Sequence, residues 1–425
     1  MHALWRVEMN STISLTIRLI AMSIFLAVLL FNREAAFWGY PPVYITDIAI
    51  VLIMSVSRSA WRGIVKNWAI PALFALALIW LGYDLMTGHV DLLTIRRMGI
   101  AWYGLCAVVI TTFAPKYYRL IARHTVFLSL LVTAATALLP NIQATLSATV
   151  LGFFLLIEFA MHGTRRLAQL AIIAACFVVV AFGFIDLGSS YRTPLLELGL
   201  AVLVIFFRHV DKAFRTRVKW NQITVIATVI VLCAGAMFVL GTGTGRRIAA
   251  DGIVAIYGIT GDRQVPHSIE DIVADQDRAR GSAYGTANTR LIFWRSIVHY
   301  NALSVRRELI GNGSSESFFQ ATRPFPSFVS VKRLFPHNAF MTLYFQYGII
   351  GLILYLLLLY QSRKNALETS PAISYDLYYA TAALALTYVF FNVSLEVPMG
   401  AVVFWTIWLS PFYLLPQFNA VCRAK

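Results

Sequence analysis

Pro336-His337-Asn338-Ala339-Phe340, followed by Gly348-Ile349-Ile350-Gly351, places one imidazole at the mouth of an apolar run, directly after the only long polar stretch of the chain. The run from 339 to 361 is long enough to cross the roughly 30 Å hydrocarbon layer of a bilayer. A catalyst working at a membrane face belongs at such a junction. The rest of the chain supports a membrane setting, because 59% of its 425 residues are hydrophobic, 14% are aromatic and only 13% are charged. That composition exceeds what a soluble core requires.

Working outward, apolar runs of spanning character fall at 13–31, 43–57, 68–86, 98–114, 124–140, 144–161, 167–186, 193–207, 222–240, 339–361, 375–391 and 399–416. The expectation is an all-α polytopic membrane protein of about twelve spans. The first run is too long for a signal peptide, contains Arg18 and lacks a small-residue cleavage site before Asn32, so it is read as a retained span. Residues 1–240 carry spans one to nine, 241–338 form one large loop, and 339–425 carry the last three spans and a tail.

Orientation follows from the cations, which accumulate on the side that is not translocated. With the N-terminus inside, the inner connections hold Arg58, Arg62, Lys66, Lys116, Arg119, Arg123, Arg165, Arg166, Arg208, Lys212, Arg215, Arg217, Lys219, Arg363 and Lys364. The short outer connections hold only Arg33, Arg96, Arg97 and Arg192. The bias puts both termini in the cytoplasm and the 241–338 loop outside. The net charge of +15 is then largely a topology signal and no sign of nucleic acid. Cys106, Cys176 and Cys233 fall in expected spans and Cys422 in the tail, so the outer loop has no disulfide framework.

The outer loop has three parts. Gly241-Thr242-Gly243-Thr244-Gly245-Arg246-Arg247 can present backbone N–H groups and two cations to an anion, although a flexible helix exit suits the same glycines. The stretch 265–289 is acidic, and its Asp275-Gln276-Asp277 is read as a solvated triplet, so no metal site is expected. From a cap at Asn288 or Thr289, apolar positions 291, 294, 297 and 298 form a helical stripe on which Arg290 and Trp294, four apart, lie on one side. The Gly311-Asn312-Gly313 turn, Phe318-Phe319 and three prolines complete a lid. Arg192 opens the eighth span, with Asp186 and Glu197 as structural partners within reach in sequence. Arg96 and Arg97 stand on the outer side against the charge bias, and a phosphate-bearing ligand accounts for them.

Arg192 in its Ser-x-Arg-Thr turn, Arg290 with Trp294, the Gly311-Asn312-Gly313 turn and Pro336-His337-Asn338 with Gly348 and Gly351 together resemble the O-antigen ligase and polymerase superfamily. The motifs span about 190–360. The resemblance implies a GT-C type helical fold and a metal-independent, inverting glycosyltransferase without cofactors. Its members move a glycan from undecaprenyl pyrophosphate to an acceptor hydroxyl at the periplasmic face of the bacterial inner membrane. Twelve spans and a single long loop favour a ligase, with lipid A-core as acceptor; a polymerase acting on a second lipid-linked glycan is the alternative, and a protein O-glycosyltransferase a third. A transporter of lipid-linked glycan is the rival of a different class, opposed by the lack of periodic halves.

The chemistry fits the residues. Developing pyrophosphate charge needs fixed cations, and the planar fork of arginine bonds phosphate oxygens in pairs. Arg192 and Arg290 are expected in that role. His337 is expected to take the acceptor's proton or to orient the acceptor, since an imidazole titrates near neutrality. Asn338 is expected to cap the tenth span and, with Arg96, Arg97, Arg246, Arg247 and Trp294, to bind substrate. Gly348 and Gly351 are expected to let that span approach a neighbour closely.

Overall fold

The computed structural model describes residues 36–37, 43–44, 48, 51, 55, 68–90, 92–138, 144–162, 166–185, 286–316, 318, 321, 338–368, 376–391 and 398–410. Apart from one antiparallel pair of two-residue strands, β1 (Ala36–Phe37) and β2 (Val43–Tyr44), the described elements are helical. The second expected span therefore begins on a strand.

The helices are α1 (Ala69–Met86), α2 (Leu92–Arg97), α3 (Gly99–Trp102) with a single 3₁₀ turn after it, α4 (Cys106–Leu138), α5 (Ala144–His162), α6 (Arg166–Ile185), α7 (Thr286–Ala302), α8 (Val305–Ile310), α9 (Ala339–Glu368), α10 (Asp376–Phe391) and α11 (Pro398–Trp408). Three segments, Ala69–Met86, Ile121–Leu138 and Ala339–Lys364, are each long and apolar enough to cross a membrane. The assembly is compatible with a helical membrane protein. The expected spans at 13–31, 193–207 and 222–240 lie outside the described residues, as does most of 43–57.

Two expectations are corrected. The loop expected at 115–123 is helical, and the division between the fourth and fifth runs falls instead at His124, where α4 kinks from one helix into another with φ −123° and ψ 16°. Lys116, Arg119 and Arg123 are good helix formers, so the helix runs through the charge cluster to the kink. The tenth span, expected to be continuous, is broken at Gly348, whose φ of 64° and ψ of −162° belong to a region open essentially to glycine.

Among apolar helices in lipid, association relies on close packing and hydrogen bonds more than on exclusion of water. Helices α4, α5 and α6 pack on one another, α5 packs on α10, and α11 on α4. At the crossing of α5 and α10, Gly152 lets Thr381 and Leu384 come close, and Thr381 Oγ1 reaches the Gly152 carbonyl at 3.5 Å. One end of the bundle is tied by polar side chains from aromatic residues. Tyr378 donates to the Trp408 carbonyl at 3.1 Å, Trp408 Nε1 donates to the Leu359 carbonyl at 2.9 Å, and Arg363 donates to the Tyr379 hydroxyl at 2.5 Å. This end gathers the C-terminal part of α9, the start of α10 and the end of α11.

The opposite end gathers the C-terminal end of α1, α2, α7, α8, the start of α9 and the last turn of α10. Phe390, near the end of α10, meets the Trp294 ring of α7 edge-on at 5.3 Å and the Phe340 ring in the first turn of α9 at 6.5 Å. A small aromatic core of Phe293, Ile297, Phe318 and Phe345 seals α7 against α9. A Cβ on Gly348 would lie 2.4 Å from the Leu309 carbonyl carbon, while one on Gly82 of α1 would meet nothing within 4 Å. Gly348→Ala is expected to destabilise by at least about 2 kcal/mol, and Gly82→Ala to stay within about 1 kcal/mol and on the stabilising side. Thermal melts of the two detergent-solubilised variants measure the contrast.

Candidate functional site

The break in α9 is the centre of the site, because a broken helix releases backbone carbonyls that need new donors wherever water is scarce. Three successive carbonyls obtain them from one segment. Asn301 Nδ2, at the end of α7, donates to the Tyr344 carbonyl at 2.8 Å. The Asn312 backbone N–H donates to the Phe345 carbonyl at 3.0 Å, and Asn312 Nδ2 reaches the same oxygen at 2.9 Å. The Gly313 N–H donates to the Gln346 carbonyl at 2.9 Å. Asn312 Nδ2 also bonds Asn301 Oδ1 at 2.8 Å, which fixes both amides.

The turn approaches this closely because Gly311 has no side chain. It ends α8 with φ 78°, its N–H donates to the Arg307 carbonyl, and a Cβ there would lie 2.3 Å from the Gln346 carbonyl. Gly311 and Gly348 thus interlock backbone against backbone. The motif quoted from the sequence as a glycine turn is a cap for a broken helix.

Helix α1 and α2 hold the other side of the turn. Trp80 Nε1 donates to the Ile310 carbonyl at 2.8 Å. Asp84, buried near the end of α1, accepts from Ser315 Oγ at 2.6 Å and from the Ser315 N–H at 3.2 Å. Arg97, also buried, donates through Nη1 to the carbonyls of Ser314 at 3.1 Å and Ser315 at 2.8 Å. The Ser314 hydroxyl pairs with the Tyr347 hydroxyl at 3.0 Å. An acid and a cation thus grip adjacent residues of one turn, an arrangement that satisfies buried charge with hydrogen bonds.

The expected site residues divide as follows. Asn338 is buried and caps α9, its Oδ1 accepting the N–H groups of Phe340 at 2.9 Å and Met341 at 3.1 Å. Trp294 lies on Phe390 at the same end of the bundle. Arg97 is bound to the turn. Arg96 donates to the Tyr103 hydroxyl at 2.8 Å, with its guanidinium 5.8 Å from that ring's centre. Arg290 is on the first turns of α7, where the backbone alone is described. Arg192, Arg246, Arg247 and His337 lie outside the described residues, His337 being the residue before the Asn338 cap.

Sequence reasoning missed Trp80, Asn301 and the two serines at 314 and 315. Asp84 carried a visible signal as an acid at the end of an apolar run, yet nothing in the spacing identified Ser315 as its partner. Arg307 stacks over Tyr300 at 4.4 Å, and the Tyr300 hydroxyl donates to Glu316 at 2.6 Å. Burial and the Glu316 bond push the Tyr300 hydroxyl up to about 12. Among the described residues no three His, Cys, Asp or Glu side chains group as a metal site. No protein-family model and no curated protein matches the chain.

Two outcomes follow. Asn312→Asp removes the amide donor to Phe345 and sets a carboxylate against Asn301 Oδ1 and that carbonyl; it is expected to cost about 2 to 4 kcal/mol, read as a fall in Tm, whereas Asn312→Ala costs less. Tyr300 is raised above its unfolded value near 10, so its contribution is complete below pH 10 and declines as pH rises toward 12. Tyr300→Phe is expected to flatten that part of the alkaline stability profile and to leave the profile below pH 9 unchanged in shape.

Proposed function

We propose that the chain is a metal-independent, inverting glycosyltransferase of GT-C type. It has about twelve spans, lies in the bacterial inner membrane with its site facing the periplasm, and moves a glycan from undecaprenyl pyrophosphate to an acceptor hydroxyl. The preferred acceptor is lipid A-core, which makes the activity that of an O-antigen ligase. The observation that supports this most is the placement of Phe390 against both Trp294 and Phe340. Through it, the helix bearing Arg290 and the helix start that follows His337 belong to one packed end, although about 45 residues separate them in sequence.

In this reading His337 accepts the proton of the attacking hydroxyl as the new glycosidic bond forms at the anomeric carbon. The bond from that carbon to the pyrophosphate oxygen breaks, and the lipid pyrophosphate leaves with the electron pair. Arg290 and Arg192 stabilise its growing charge. Asn338 caps the start of α9 by accepting the Phe340 and Met341 N–H groups, and the positive end of that helix's dipole favours the same anion. Arg96 and Arg97 act from beneath, by holding Tyr103 and the 314–315 turn. Trp294 supplies an apolar face suited to a sugar ring or a lipid tail.

Loss of the base is expected to lower transfer about 10²- to 10⁴-fold, and loss of either arginine about 10²- to 10³-fold. The test is the lipopolysaccharide ladder, run beside the pool of lipid-linked glycan, in a deletion strain complemented with wild type or His337→Ala at matched levels. The ligase reading expects no ladder on core and retained long lipid-linked polymer. Accumulated single repeats would instead identify a polymerase, and an unchanged ladder would remove His337 from the reaction.

A further inference from the structure

The corner between α7 and α8 sits deeper along the bundle than a lid over its end would. Its contacts on α1 are at Trp80, six residues before Met86, or about 9 Å along the helix axis. On α9 they are at Gln346 and Gly348, seven to nine residues after Ala339, or about 10 to 14 Å in. The 18 residues of α1 measure about 27 Å, close to the thickness of a hydrocarbon layer. A segment held two turns below the end of such a helix lies at the level of lipid rather than above it.

The outward surface of the corner has a matching chemistry. Leu303 is 63% exposed, Val305 73% and Leu309 45%, with Val305 and Leu309 four apart on one side of α8. Helix α1 also exposes Ile79 and Tyr83. Arg306, exposed, has its guanidinium 5.5 Å from the centre of the Trp80 ring, and Trp80 meets Tyr83 edge-on at 5.6 Å. Arg295 on α7 is also exposed, and Glu308 is the acid on α8. Three bare aliphatic side chains within seven residues are poorly suited to water. They match the acyl chains of a lipid, while the Arg306 guanidinium beside them is braced on the Trp80 ring.

We propose that the α7–α8 corner is a wedge inserted into the lipid layer at the end where α1 terminates, with Leu303, Val305 and Leu309 against acyl chains. The wedge depends on α1 and α9 crossing a bilayer and is independent of the reaction proposed above. It fixes the height of the capped turn relative to the lipid.

Hydroxyl-radical footprinting of the full-length wild-type protein in phosphatidylethanolamine and phosphatidylglycerol nanodiscs tests it without any substitution. Oxidation at Leu303, Val305 and Leu309 is expected within about twofold of that at Ile79 on α1, and well below that of a leucine peptide in the same solution. Peptide-like oxidation of the three with a protected Ile79 would overturn the wedge while leaving the spanning helices intact. Peptide-like oxidation of Ile79 as well would overturn the membrane-spanning reading itself, and the wedge with it.

Discussion

A backbone carbonyl in an apolar layer must find a donor, and that requirement organises the described part of this protein. Gly348 breaks α9 near one end of the bundle and releases the carbonyls of residues 344 to 346. Asn301, Asn312 and Gly313 supply the donors, all from one segment. The segment cannot approach unless Gly311 lies backbone to backbone with Gln346, and the break cannot form unless Gly348 takes a positive φ. Each glycine is therefore needed by the other's partner. Trp80, Asp84 and Arg97 then hold the turn from its far side, so α1 and α2 join the same lock.

This accounts for the positions of charged groups that are costly near lipid. Asp84 and Arg97 are buried; Ser315 donates to Asp84, and the Ser314 and Ser315 carbonyls accept from Arg97. Arg96 rests on Tyr103, Arg306 on Trp80 and Arg307 on Tyr300. The cations of this end with described side chains thus have roles in holding the scaffold or meeting its surroundings. In the proposed reaction, direct contact with pyrophosphate falls to Arg192 and Arg290, while Arg97 positions the turn.

Much of the helical architecture was legible from hydropathy alone. The runs at 68–86, 144–161, 167–186 and 375–391 meet α1, α5, α6 and α10 within about a residue, because sustained apolar sequence leaves a helix as the way to satisfy the backbone in lipid. The join expected over 115–123 narrows to a kink at His124, because the cations that mark a water-facing stretch are themselves good helix formers. The break at Gly348 was only half visible. A glycine in an apolar run signals close approach, and a positive φ leaves no further mark in the sequence. Long-range partners such as Trp80 with Ile310, or Asp84 with Ser315, lie about 230 residues apart and follow no periodicity. Of the candidate site, the Asn338 cap was legible from its place before an apolar run. The engagement of Arg97 with two carbonyls was not, since an arginine beside a span suits an anion or a carbonyl equally.

The central claim is that the 311–313 turn is a structural cap locked into α9, and amide exchange reads this directly. In the full-length protein in nanodiscs, hydrogen–deuterium exchange resolved to single residues at Asn312 and Gly313 compares their N–H groups with those in the middle of α9. A locked cap predicts exchange as slow as the α9 interior, since both N–H groups are bonded to buried carbonyls and open only with the helix pair. Exchange within seconds at both positions, beside a protected α9, would show a turn that merely rests on the helix and would contradict the account.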